Sequence, residues 1–148
     1  IIGIDKLDSY GLHKYLSEQL IKKYCPIFLI LRPSSILGTN LKKGPIYDII
    51  SHKPVLVTQD SRLQFITALE IANIIQALLK KGIHNQIINI GGIGSCKFSN
   101  LSKLLHSVEF SKDAVRQTYE MNIKKLKRVF PRLKTSKKYL DEFLTSRI

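Results

Sequence analysis

The chain has 148 residues, 44% of them hydrophobic and 24% charged, which is ordinary for a folded domain with a core of its own. Its longest apolar run, residues 26–31, is far too short to span a bilayer, and residues 1–8 carry Asp5, Lys6 and Asp8 instead of the basic start of a secretory signal. The net charge of +13 favours anionic partners such as nucleic acid, acidic lipid or a phosphate-bearing metabolite; a lysine-rich proteome would produce the same balance, so charge alone selects no function.

Helical and strand patterns alternate along the chain, which predicts an α/β class. Residues 10–24 read as an amphipathic helix with Leu12, Leu16, Leu20 and Ile21 on one face and Lys22 and Lys23 in the last turn. Pro26 stops it. The unbroken apolar run 27–31 predicts a central parallel strand buried on both faces, with the Tyr10 helix packed on its sheet. A short helix at 46–50 and a short strand at 55–58 follow. Residues 68–81 repeat Leu69, Ala72, Ile75, Leu78 and Leu79 at helical spacing, and Gly82 suits the position just past the helix end. Residues 86–90 predict a strand ended by Gly91 and Gly92. Three helices are expected beyond it, at 100–107, 122–130 and 136–146, the last two basic, on the surface and separated by Pro131.

Cys25 and Cys96, the only cysteines, form no metal-binding spacing and no disulfide framework, so they read as reduced thiols of a cytoplasmic protein. The chain begins with Ile1, which suggests a fragment or a trimmed product.

Four constellations could carry chemistry. In Tyr10-Gly11-Leu12-His13-Lys14, the phenol and the ammonium stand four residues apart, on one helix face. A free phenol ionises only near pH 10, and a neighbouring ammonium favours the phenolate, which suits proton transfer to or from a carbinol. The lysine could also hold a ribose hydroxyl. An exposed helix start with a snorkelling lysine explains the same residues. Leu31-Arg32-Pro33-Ser34-Ser35-Ile36-Leu37-Gly38 leaves the predicted strand at the end where parallel sheets bind ligands; it also reads as a plain strand exit with Arg32 paired to a carboxylate. In the stretch from Ser61 to Ala72, Thr67 and Glu70 have capping-box spacing, and Arg62 is either a phosphate grip or a surface arginine. Asn89-Ile90-Gly91-Gly92-Ile93-Gly94 looks like a phosphate turn, but Lys97 stands where the third glycine of a dinucleotide fingerprint belongs, so the turn reads as structural.

In this order, the pieces resemble the extended short-chain dehydrogenase/reductase family, the NAD-dependent epimerase/dehydratases. The family's Y-G-x-S-K followed by a glutamate is similar to Tyr10 to Lys14 with Glu18, and its R-P-x-N-V-Y-G-P is similar to Arg32 to Thr39. Its R-D-F-I-H-V-D-D-V-A is similar to Leu63 to Ala72, and its Y-N-I-G-G-G to Ile88 to Ile93. The likeness runs from residue 1 to about 107. His13, Ser35, Leu37, Leu63 and Leu69 depart from the usual serine, asparagine, tyrosine, arginine and aspartate.

The resemblance implies the C-terminal half of a Rossmann-like doubly wound parallel sheet plus a small substrate-binding subdomain. Residues 1–33 and 86–107 would form the sheet part and 34–85 the substrate side, with 108–148 a basic helical tail. It implies Tyr10 and Lys14 as catalytic and cofactor-binding residues, Pro33 and Ile36 beside the nicotinamide, and Ser35 and Arg62 on the substrate. The cofactor would be NAD or NADP, bound mostly by a half not present among these residues. The substrate would be a small molecule of the nucleotide-sugar kind, and the complete enzyme could be a homodimer. On its own the chain is expected to be inactive. Two rivals stand beside this reading. One is a catalytically dead truncated remnant. The other is a basic nucleic-acid module, which would lack interleaved aromatics and any zinc or helix-turn-helix signature.

Overall fold

The computed structural model describes residues 7–101 and 108–146. Helix α1, Ser9–Tyr24, begins where Asp8 caps it, its carboxylate accepting from the Gly11 amide at 2.6 Å. Strand β1, Leu29–Pro33, starts two residues later than the apolar run predicted, because Phe28 and Asn85 first close a two-bond turn (Phe28 N to Asn85 Oδ1, 3.1 Å, and Asn85 N to Phe28 O, 2.5 Å). Ile27 is left 73% exposed.

Next come β2 (Ser35–Leu37), α2 (Pro45–Ile50), β3 (Val55–Val57), β4 (Arg62–Leu63), β5 (Phe65–Thr67) and α3 (Ala68–Lys80). Strands β6 (Gln86–Ile90), β7 (Cys96–Lys97), β8 (Phe110–Val115) and β9 (Thr118–Tyr119) then precede α4 (Lys124–Val129) and α5 (Ser136–Thr145). Parallel pairs dominate: β1 with β6, in register from Leu29↔Gln86 to Pro33↔Ile90, β2 with β5, and β3 with β8. A small mixed sheet has the order β7-β4-β9. The fold is α/β, as the alternation of patterns implied.

Helix α3 starts as its sequence predicts, with the Glu70 amide donating to Thr67 Oγ1 at 3.2 Å. The capping box is only half formed. The Glu70 carboxylate instead accepts from Tyr139 Oη at 2.7 Å and Asn73 Nδ2 at 3.1 Å, tying α3 to α5. Gly82 takes φ +63° past the helix end, a conformation that costs glycine little. The buried face of α3 is offset from the expected one: Ile74 and Leu78 are buried, while Leu69 and Leu79 face solvent.

Two apolar clusters build the core. One gathers Leu37, Ile46, Val55, Phe65, Phe98, Leu140 and Phe143; the other gathers Ile66, Ile74, Leu78, Ile88, Ile90, Leu126 and Tyr139. Strand alternation sends Phe65 into the first and Ile66 into the second. The expected surface tail is therefore corrected. Residues 108–146 open with strands β8 and β9, and α4 and α5 bury Leu126, Tyr139, Leu140 and Phe143. Of the helix expected at 100–107, Asn100 ends a 3₁₀ turn, Phe98–Asn100, Leu101 is buried, and the rest lies outside the described residues.

The clusters meet at Gly91 and Gly92. Gly92 N donates to Phe65 O at 3.0 Å, and the Ser136 amide donates to Ile93 O at 3.0 Å. Ser136 Oγ donates to Gly94 O at 2.5 Å and accepts from the Phe65 amide at 3.2 Å. Fully buried Gln64 donates to Gly92 O at 2.7 Å and accepts from the Met121 amide at 3.0 Å. A Cβ on Gly92 would stand 2.7 Å from both Phe65 O and Ser136 N. Both are backbone atoms, so neither can swing aside.

The expectation for β1 and α1 needs a second correction. Among the described residues β1 has one neighbour, β6, and of its five residues only Ile30 is buried, so it is not covered on both faces. Helix α1 buries none of its residues, and Leu16, Leu20 and Tyr24 form an exposed apolar stripe, 49%, 57% and 68% exposed. Leu16 and Leu20 are thus turned to solvent, while Leu12, Tyr15, Glu18 and Gln19 form the half-buried face of the helix.

Two outcomes follow. Gly92→Ala should destabilise the fold by about 1–3 kcal/mol, since the clash falls on backbone; an unchanged denaturant midpoint would show that the turn is looser than this. Leu16→Gln and Leu20→Lys should each change the unfolding free energy by no more than about 0.5 kcal/mol, as for surface sites. A large loss of stability would mean the stripe is packed.

Candidate active site

Helix α1 and strand β1 are joined by residues 25–28, so the chain reverses between them. Glu18 lies six residues before the helix end, roughly 9 Å along the axis at 1.5 Å per residue. Arg32 lies three residues after the strand start, about 10 Å along it. The two therefore stand level, and Arg32 Nε and Nη2 donate to the two Glu18 carboxylate oxygens at 2.6 and 2.5 Å. Glu18 is 12% exposed and Arg32 49%. The hydrogen bond to Glu18 raises the Arg32 guanidinium further above its ordinary range, against the opposing effect of burial.

Tyr10 lies eight residues nearer the helix start, about 12 Å further on. That places the first turn of α1 beyond the C-terminal end of β1, the end at which parallel α/β sheets bind ligands. Lys14 Nζ stands over the Tyr10 ring, 5.6 Å from its centroid, within cation–π range. Tyr10 is 71% exposed, and neither its hydroxyl nor the Lys14 ammonium has a hydrogen-bond partner among the described residues.

The other candidates leave the same end of the sheet. Pro33 closes β1 opposite Ile90. Ser34 N donates to Ile90 O at 2.7 Å, and its buried hydroxyl has no partner among the described residues. Ser35 N donates to Gln64 O at 3.1 Å and sets β2 beside β5, leaving Ile36 42% exposed. Arg62 is exposed on β4 and donates from Nε to Ser95 Oγ at 3.3 Å; Ser95 Oγ in turn donates to Glu120 at 2.5 Å. Tyr10 and Lys14 are thus brought together. No bonding contact joins them to Ser35 or Arg62 among the described residues.

The Gly91–Gly92 turn is filled by Gln64 and Ser136 and has no room for a phosphate. Cys25 is exposed and Cys96 buried, where loss of solvent pushes its thiol up, away from the reactive thiolate. Among the described residues no group of His, Cys, Asp and Glu could hold a metal ion, and no helix is long and apolar enough to cross a membrane. The pairing of Glu18 with Arg32 and the Asp8 cap were not among the expectations drawn from the sequence patterns. Asp8 three residues before Gly11 was the signal for the cap. For the pair, it was the four-residue step from Lys14 to Glu18 with an arginine at the strand end.

No protein-family model matches the chain, and no curated protein matches it by sequence. Solved structures do match by fold. The dTDP-glucose 4,6-dehydratase of Bacillus anthracis in complex with NAD superposes with a TM-score of 0.68 at 17% identity, over 94% of this chain and 51% of that one. A UDP-galactose 4-epimerase gives 0.67 at 17% identity, over 94% and 54%. WbmG of Bordetella bronchiseptica in complex with NAD and UDP gives 0.68 at 18%, over 87% and 45%. This chain spans about half the length of those it matches. The likeness is one of fold, and it agrees with the Rossmann-like epimerase/dehydratase architecture that the motif order implied.

Asp8→Ala should loosen the turn that carries Tyr10. Loss of an N-cap costs about 1 kcal/mol, so amide exchange over residues 10–14 should quicken roughly five-fold. The global melting midpoint should move little, because no residue of α1 is fully buried. Unchanged exchange would mean that the cap does not hold the site.

Proposed function

We propose that this chain supplies the acid–base pair and the substrate side of an NAD(P)-dependent sugar-nucleotide epimerase, dehydratase or reductase. The observation that carries the reading is the Lys14 ammonium over the Tyr10 ring, at the strand-end face of a fold shared with such enzymes.

The residues present suit the nicotinamide–ribose end of a dinucleotide. The Tyr10 hydroxyl and the Lys14 ammonium are accessible, and Pro33 and Ile36 offer an apolar edge at the exit of β1. The pyrophosphate has no cradle in the Gly91–Gly92 turn, which protein atoms occupy. When bound, a nicotinamide exchanges hydride with the substrate carbon. Tyr10 moves the proton at the substrate oxygen: its phenol donates to a ketone, or its phenolate accepts from a carbinol. Lys14 donates to a ribose hydroxyl and keeps a positive charge beside the reacting oxygen. Arg62 uses one donor on Ser95 and retains its guanidinium fork for a phosphate, while the Ser35 hydroxyl orients the sugar. Without a dinucleotide-binding half the chain is expected to turn over no substrate.

In the complete enzyme, Tyr10→Phe should lower kcat by about 10²- to 10⁴-fold, the usual contribution of a general acid–base group, with little change in cofactor affinity. Lys14→Met should impair both turnover and cofactor binding. Steady-state kinetics with NAD and NADP titrations checks both variants. Near-normal turnover in Tyr10→Phe would remove Tyr10 from the mechanism.

A further inference from the structure

Tyr10, Lys14 and Glu18 recur every four residues. On an α-helix each step advances by about 40°, so the three form one slightly slanted stripe. Only the Glu18 end of that stripe is pinned among the described residues. Partial burial of Leu12, Tyr15 and Gln19 does not by itself fix the rotation of α1, because no residue of the helix is fully buried. The fork to Arg32 does: two parallel bonds, at 2.6 and 2.5 Å, define an orientation as well as a distance. Arg32 belongs to a strand held by β6 through five paired positions, so its end of the fork is fixed.

We infer that Glu18 and Arg32 are a positioning pair that sets the rotation of α1 and thereby aims Tyr10 and Lys14 at the space beyond β1. The inference rests on reading Tyr10 and Lys14 as the acid–base pair. A rotation of about 20° moves a group on the helix surface, some 6 Å from the axis, by roughly 2 Å. Misplacement by about 1 Å can cost a catalyst roughly 100-fold. The pair is therefore needed for aim even where it contributes little to stability. A lysine at position 32 keeps the charge but not the fork, so Arg32→Lys separates orientation from attraction.

The test measures rotation and turnover separately. In a Cys25→Ser background, spin labels at exposed His13 and Leu56 report the distance between α1 and β3 by double electron–electron resonance. The parent should give one narrow distribution. Arg32→Lys and Glu18→Gln should each at least double its width, with the helical circular dichroism retained. The exchanged pair, Glu18→Arg with Arg32→Glu, should narrow it again. In the complete enzyme, Arg32→Lys should lower kcat about 10- to 100-fold with KM within about two-fold, and the exchanged pair should recover most of that loss. Narrow distributions in both single variants, or no recovery in the exchanged pair, overturn the inference. Broadened distances together with normal turnover in Tyr10→Phe would leave the positioning pair standing and sink the functional reading.

Discussion

The fold depends on a close approach that only glycine allows. At Gly92 the carbonyl of Phe65 and the amide of Ser136 come so near the backbone that a built Cβ would meet both at 2.7 Å. Three elements converge there: the end of β6, the start of β5 and the first residue of α5. Each brings backbone groups that must find partners once water is excluded. Gln64 and Ser136 supply what the backbone cannot, and both are buried with their polar atoms bonded. The two apolar clusters then lie on either side of one polar seam, with Tyr139 in one and Leu140 in the other.

That seam also decides what this glycine turn is for. A strand followed by glycines can cradle a phosphate or receive another part of the protein, and the same small residues serve both ends. Here the C-terminal helix occupies the turn. The open chemistry lies instead at the start of α1, where an accessible phenol and an ammonium share a face. One region of the chain is closed by its own polar network, while the other leaves its reactive groups without protein partners among the described residues. On the function proposed above, a ribose and a carbinol would meet the second.

The pair joining Glu18 to Arg32 ties α1 to β1. Arg32 is half-exposed, and ion pairs open to solvent contribute about 0–1 kcal/mol, so the pair's weight in stability is modest. Its weight in geometry is larger, since α1 has a half-buried face but no fully buried residue to hold its angle. The residues that position the candidate acid–base pair thus stand between a rigid sheet and a lightly held helix.

Local chemistry by itself determined much of this protein. The helices at Ser9–Tyr24 and Ala68–Lys80 and the strand at Gln86–Ile90 follow from spacing, caps and flanking Pro or Gly, which act within a few residues. The shared face of Tyr10 and Lys14 follows from helical repeat alone, and the glycine turn was legible as structural because Lys97 breaks the phosphate pattern. Tertiary structure decided the rest. The amphipathic segment 10–24 and the apolar run 27–31 predict burial, yet burial requires a neighbour, and among the described residues β1 has one strand neighbour while no residue of α1 is fully buried. Strands β8 and β9 are charged or short, and they exist because β3 and β4 offer them backbone partners. Ile123, Leu126 and Tyr139 are spread among lysines that suggest a surface, and only the approach of β6 and α3 turned that side inward. Which residue meets Gly92, Glu18 or Glu70 depends on contacts between segments far apart in the chain, and no local pattern specifies them.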